Sequence, residues 1–292
     1  MKDFSEYNPF AVLIYFLAAA GLAMFTAGPM LLALSLAGSI SLFIVRNGRK
    51  GLRSHLFFFF LFVLMSFMNP LISHNGVTVL FVMNNNPVTL ESFYYGIASS
   101  AMIVSVLYWF RSFTQIMTSD KLLYLFGSAA PKLSLILSMA LRYIPLFGKQ
   151  IKKTDAAQKA LGLYKEDNVI DRARGGTRIF SVMVTWALEN GIITADSMTA
   201  RGYGIGRRTF FALYKFRKND LVLILISLGL LTATAIGIGY GSISFEYYPA
   251  INASPVTAAS ILTYTAYGLL AFIPTIIEAE ESIKWKYLLS RN

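Results

Sequence analysis

The chain contains no cysteine and only two histidines, and charged residues make up 14% of its 292 positions, against roughly 25% in an ordinary soluble domain. Without cysteine there is no disulfide framework and no thiolate metal site. His55 and His74 stand on separate segments and read as ordinary interfacial histidines. No G-x-x-x-x-G-K-[ST] occurs, so the chain has no P-loop to hold nucleotide phosphates, and it has no H-E-x-x-H or G-x-S-x-G either. The glycine-rich "GYGIG" at 202–206 closes a helix instead of opening one, which removes it as a dinucleotide fingerprint.

What is abundant is apolar. Hydrophobic residues make up 55% of the chain, and the mean hydropathy is +0.56. Hydropathy marks six candidate spans at 11–27, 30–45, 55–72, 93–110, 221–241 and 256–277, each near the ~20 residues needed to cross a bilayer. The first two are the shortest and are joined only by Gly28 and Pro29, as in a tight helical hairpin. The first is expected to be a retained helix, because "MKDFSEYN" before it lacks the basic start of a signal peptide. No Asp, Glu, Lys or Arg falls within the six spans. A carrier that couples to ions on its own keeps ionisable groups at membrane depth, so that class is disfavoured, as is hydrolysis inside the membrane.

The charge that exists is one-sided. The basic residues are Lys2, the cluster Arg46, Arg49, Lys50 and Arg53, eighteen between Arg111 and Lys218, and Lys284, Lys286 and Arg291. With six spans and both termini in the cytoplasm, all 26 fall inside, and the outer segments 73–92 and 242–255 contain none. The net charge of +11 therefore reads as a positive-inside signature with attraction to anionic membrane lipid, and nucleic acid is not expected as a partner.

The chain divides into a four-span region at 1–114, a cytoplasmic region at 115–216 and a two-span region at 217–292. The fold class expected is all-α, a polytopic membrane protein of about six transmembrane helices with long cytoplasmic helices. In the middle region "TSDKLLYLFGSAAP" predicts a short helix with Ser119 and Asp120 as caps and Gly127 and Pro131 as stops. A second helix starts at Pro131, grades from apolar to basic, and ends before Gly162. Its apolar half at 133–147 contains Arg142 and Pro145 and is expected to lie in the membrane interface. A third is predicted over 177–201, with Ile179, Val182, Met183, Trp186 and Ile193 on one face and Arg201 at its tip.

"TADSMTARGYG" closing one of these helices and "DAAQKALG" closing another forty residues earlier resemble the transmembrane coupling component, or T component, of energy-coupling factor (ECF) transporters. These are ATP-binding-cassette (ABC) uptake systems for vitamins and transition metals. "NPFAVLIYFLAAAGLAMFTAGP", "IMTSDKLLYLFGSAAPKLSLILSMALRYIPLF" and "EESIKWKYLLSRN" extend the likeness over nearly the whole chain. The resemblance implies a multi-pass protein of a bacterial cell membrane that is not an enzyme and binds no cofactor itself. ATP and Mg would be held by two ABC ATPase partners, expected as a heterodimer, and substrate by a separate S component. In the family two coupling helices each end in a small-Arg-small motif that seats in an ATPase groove. Carried over, Ala200, Arg201 and Gly202 match the second motif, and Ala160, Leu161 and Gly162 occupy the first, with leucine where the family has arginine. Two other readings compete. "DAAQKALG" approximates the E-A-A-x-x-x-G loop of conventional ABC permeases, with its glycine one residue late. An intramembrane enzyme would need acidic or nucleophilic residues gathered at one depth.

Overall fold

A computed structural model describes residues 4–73, 75–83, 86–163, 169–206 and 214–290. Nine α-helices are found among them: α1 (Pro9–Phe25), α2 (Pro29–Asn47), α3 (Leu52–Ile72), α4 (Leu90–Ile116), α5 (Ser119–Ala129), α6 (Pro131–Ala160), α7 (Val169–Ala200), α8 (Lys218–Gly239) and α9 (Ala258–Ser290). Two small antiparallel hairpins accompany them, β1 (Val79–Met83) with β2 (Asn86–Thr89), and β3 (Phe245–Glu246) with β4 (Asn252–Ala253). The protein is an all-α polytopic membrane protein. α2, α3, α4, α8 and α9 are long and apolar enough to cross a bilayer. α1 is apolar over 17 residues, which at 1.5 Å per residue is about 26 Å, short of a ~30 Å hydrocarbon core. The six expected spans are thus five long helices and one short one.

The helices form two compact units, Met1–Leu122 with Tyr214–Asn292, and Leu123–Leu213. In the first, α2 lies against both α4 and α9, while α1 packs on α4 and α8. Small residues set these approaches. A Cβ on Gly38 of α2 would stand 2.7 Å from the Cβ of Ala271 in α9, one on Gly96 would stand 2.6 Å from the Ser66 carbonyl oxygen, and one on Gly237 would stand 2.1 Å from Thr263 Oγ1. Backbones this close gain dispersion contacts along their length, the usual source of helix association where lipid is as apolar as the side chains.

Many polar groups inside this unit are bonded, as a medium without water favours, although Asn69 Oδ1, Ser112 Oγ, Tyr248 OH and Glu281 Oε2 are buried with no hydrogen-bond partner among the described residues. The fully buried Trp109 donates its indole N–H to Ser35 Oγ at 3.1 Å, and Tyr15 donates to the Leu270 carbonyl at 2.7 Å. Arg46 of α2, half-buried, forms an ion pair with the buried Glu278 of α9. At the helix starts, Asp220 accepts from the backbone N–H groups of Asn8 at 2.9 Å and Arg217 at 2.8 Å, joining the beginnings of α1 and α8. Pro9 and Pro29 occupy first-turn positions, where a missing N–H costs nothing.

Several expectations change. α5 runs through Gly127 to Ala129, because Ala130 still donates to Phe126 and Pro131 then starts a new helix. α6 holds Pro145 without a break over 30 residues. α7 begins at Val169, eight residues before the predicted start. On α7 the buried and half-buried positions include Ile179, Met183, Trp186, Asn190, Thr194 and Met198, whereas Val182 and Ile193 are exposed. The packed stripe keeps Ile179, Met183 and Trp186 of the expected face and continues at the 3.6-residue period through polar Asn190 and Thr194, which an apolar count passes over in favour of Val182 and Ile193. His55 donates to or accepts from Tyr108 at 2.8 Å, and His74 lies outside the described residues.

Candidate functional site

The second unit is built on α6 and α7. Tyr143 of α6 donates to the Asn190 carbonyl of α7 at 3.3 Å and lies 2.9 Å from Thr194 Oγ1. One turn later in α6, Phe147 meets Trp186 edge-on with ring centroids 5.6 Å apart. Beyond the end of α6, Arg178 donates to the Leu163 carbonyl at 3.1 Å. Partners in α7 fall in number as those in α6 rise, so the two helices run antiparallel and their C-terminal tips point away from each other. Ala160 and Ala200 lie thirteen and fourteen residues beyond the Phe147–Trp186 contact. At 1.5 Å per residue the tips are separated by up to about 40 Å.

The two tips close in the same way. On α6, Leu161 donates to Ala157 at 3.1 Å, Gly162 to Lys159 at 3.0 Å and Leu163 to Gln158 at 3.1 Å. On α7, Arg201 donates to Ser197 at 3.2 Å, Gly202 to Thr199 at 2.9 Å and Tyr203 to Met198 at 3.0 Å. Both are Schellman caps, in which the residue after the C-cap must turn left-handed. Gly162 has φ +65° and Gly202 has φ +81°, a region where a Cβ is strained. The glycine of each small-x-small triplet is therefore required by the helix end. The middle residue becomes the C-cap, and its side chain leaves the helix unscreened by its neighbours.

Leu161 is 74% exposed, and the exposed Arg201 side chain makes no hydrogen bond or ion pair among the described residues. Ala160 and Ala200 are exposed beside them. Lys159, the cation nearest the leucine tip, is held 2.7 Å from Asp155 one turn back. The Arg201 tip continues into Ile205, which is 86% exposed. Gly204 is also left-handed, at φ +92°. The cap alone is ordinary, since α8 ends on the same pattern at Gly241. The pairing of two such ends on one antiparallel unit is what distinguishes α6 and α7.

Sequence reasoning missed the ties that hold this pair: Tyr143 to Thr194, Phe147 to Trp186, and Arg178 to the chain after Leu161. Tyr143 with Phe147, and Trp186 with Asn190 and Thr194, recur at four-residue spacing, the signal that marks a single helix face. Among the described residues no group of three or more His, Cys, Asp or Glu can hold a metal ion.

These features define a multi-pass membrane protein carrying a separate two-helix unit with exposed, capped tips. No family model matches the chain. Over 104 residues, 35% of the chain, it is 29% identical to the energy-coupling factor transporter transmembrane protein EcfT of Lactobacillus helveticus (strain DPC 4571). The matched stretch spans 38% of that relative's length.

Proposed function

We propose that this chain is the transmembrane scaffold of an ECF-type ABC importer, transmitting the motion of two cytoplasmic ATPases to an S component that binds a vitamin or related micronutrient. The observation that carries the reading is the pair of like Schellman caps at opposite ends of α6 and α7, each projecting one side chain between small residues. Two separated, outward-facing tips suit two ATPase subunits lying side by side. A guanidinium between small neighbours suits a groove lined by carboxylates or carbonyls, because its planar fork can bond two acceptors at once. Leu161 suits a more apolar groove, and the inequality of the tips favours a heterodimer of ATPases. The partial likeness to EcfT supports the same reading. In this role the chain does no chemistry: nucleotide and Mg belong to the ATPases, and substrate to the S component.

Purification in mild detergent tests the proposal. A scaffold brings two ATPase chains and a small membrane protein with it, and the reconstituted assembly takes up substrate on ATP. An enzyme would be active alone and would bring neither. Orientation is tested separately, with both termini expected in the cytoplasm. Since the chain has no native cysteine, a cysteine at Asn84 should label from outside and one at Asn168 from inside. Both positions lie outside the described residues.

A further inference from the structure

The two hairpins stand at the same end of the membrane unit. β1–β2 joins the end of α3 to the start of α4, and β3–β4 joins α8 to α9. Tyr247 donates to the Ala27 carbonyl beside the α1–α2 turn at 2.8 Å, and its ring meets Tyr95 near the start of α4. Their surfaces differ in kind. β3–β4 turns Tyr247 and Phe245 inward onto Leu32 and Ala98 and exposes Ser244, Glu246 and Asn252. On the other hairpin Val88 of β2 is buried, but β1 does the reverse. Val77, Val79, Leu80, Phe81 and Val82 are all at least half exposed.

Successive residues of a strand point to opposite faces. The ladder is irregular between Val79 and Phe81, but Phe81 and Val82 pair with the consecutive residues Val88 and Pro87, so exposed apolar side chains cover both faces of β1. A hairpin packed on a protein core has one apolar face, and one standing in water has polar residues on its open face. This one fits neither pattern. Its base is nevertheless held firmly. Glu91 is buried and accepts from the Thr78 backbone N–H at 3.1 Å and from Thr78 Oγ1 at 2.8 Å. Thr89 donates to the Asn75 carbonyl and Ser92 to the Ser73 carbonyl, both at 2.7 Å. At Gly76, φ +140°, a Cβ would lie 2.6 Å from a Glu91 carboxylate oxygen. The apolar blade thus projects from a fixed mount.

We propose that β1–β2 is an interfacial membrane anchor, with both faces of β1 seated in lipid at the boundary between headgroups and acyl chains. Continuity with the lipid-facing surface of α3 identifies the occupant. Phe67, Met68, Leu71 and Ile72 are exposed at the end of that helix. No Asp, Glu, Lys or Arg separates them from the hairpin, and the one such residue between 73 and 92 is the buried Glu91. A two-stranded sheet has open edges whose N–H and C=O groups need partners, which keeps it out of the hydrocarbon centre and at the interface, where headgroups and water supply them. The inference rests on the membrane unit alone and stands whether or not the chain couples to ATPases.

The cysteine-free chain allows a direct test. Val79→Cys, Leu80→Cys, Phe81→Cys, Val82→Cys and, on the other hairpin, Glu246→Cys are each spin-labelled in the full chain reconstituted in lipid vesicles. Collision with oxygen, which concentrates in lipid, is compared with collision with a water-soluble nickel chelate. The expected result is oxygen collision several-fold above nickel at all four β1 positions and the reverse at 246. Nickel dominant on either face of β1 would place that face in water and overturn the proposal. Low collision with both reagents would mean a protein surface covers the hairpin, and would overturn it equally.

Discussion

The two compact units achieve order by different means. In the membrane unit the helices approach until glycine is the only residue that fits, as at Gly38 against Ala271, and side-chain pairs such as Trp109 with Ser35 and Arg46 with Glu278 cross between them. In the α6–α7 unit most side chains are exposed, including Leu133, Ile136, Phe180, Leu188 and Ile192. The antiparallel pair is tied by Tyr143, Phe147 and Arg178 and their partners. The first unit has a core that sets its geometry. The second has a few directional ties and two ends. A unit of that kind belongs to the low-stability end of a protein, where movement costs least.

Breaking the membrane unit should therefore produce the largest effects. Arg46→Ala removes an ion-pair partner of Glu278, which is only 7% exposed. Breaking a fully buried pair from one side typically costs about 3 to 5 kcal/mol, and less where one partner is only partly buried, as Arg46 is. The expected outcome is loss of folded protein, read as a fall in thermal midpoint and in yield from detergent extracts. A normal midpoint would mean that water reaches the carboxylate. Next comes Gly38→Val, which forces α2 away from α9 by driving a side chain against the Ala271 Cβ, already 2.7 Å from where a Cβ on Gly38 would stand. Overpacking of this kind costs roughly 1 to 3 kcal/mol. Relief by enlarging the space, with Ala271→Gly in the same chain, would show that the approach itself is the cause.

In the second unit a core mutation should matter less to the whole. Trp186→Ala deletes the edge contact with Phe147, worth about 0.5 to 1.5 kcal/mol beyond burial. The membrane unit should keep its midpoint while 123–213 becomes easier to cleave with protease. Spin labels at Leu161→Cys and Arg201→Cys should show the tip-to-tip distance broadening. An unchanged distribution would mean that Tyr143 and Arg178 alone set the pair. Smaller again is Gly202→Ala, which puts a Cβ on a residue at φ +81° and should cost about 1 kcal/mol, confined to the last turn of α7.

The same contrast explains what was legible in the sequence. Membrane helices announce themselves because burial in lipid demands unbroken apolar runs, and α6 was bounded correctly because Pro131 and Gly162 carry their conformational rules with them. Partners far apart in sequence left no local mark: Arg46 and Glu278 are separated by 232 positions. The start of α7 was missed because "VIDRARGG" has no apolar period. Its packed face was legible as far as Ile179, Met183 and Trp186, and beyond them polar Asn190 and Thr194 carry it. The strand β1 has a local signature, "VTVLFVM" followed by asparagines and proline, which hydropathy and charge alone do not separate from a loop. At the tips the sequence specified the caps through two glycines, while the antiparallel placement that separates them emerged only from side chains thirty to fifty residues apart.

The smallest expected effect on folding is also the sharpest test of the contrast between a core and an end. Arg201 supports nothing among the described residues: its side chain is exposed and unbonded, and it stands at the C-cap after the last helical residue. Arg201→Ala removes a cation from the negative end of the α7 dipole, a loss of about 0.3 to 1 kcal/mol at a surface site, and shortens nothing that packs. The thermal midpoint and the vesicle-reconstituted fold should be unchanged. Under the coupling proposal, uptake by the complete assembly should nevertheless fall steeply, because charge-assisted hydrogen bonds from a guanidinium are the strongest contact this tip can offer a groove. Leu161→Arg should be close to neutral for folding for the same reason, and its effect on uptake reports the chemistry of the opposite groove: tolerated if a carboxylate is there, harmful if the groove is dry and apolar. The measurement is ATP-driven uptake beside ATPase turnover in one preparation, so that a severed mechanical link, with turnover retained and uptake lost, is separated from a failure to assemble. Normal uptake by Arg201→Ala in an assembled complex would make the α7 tip an ordinary solvated helix end, and the two tips would then be alike in having no partner to grip.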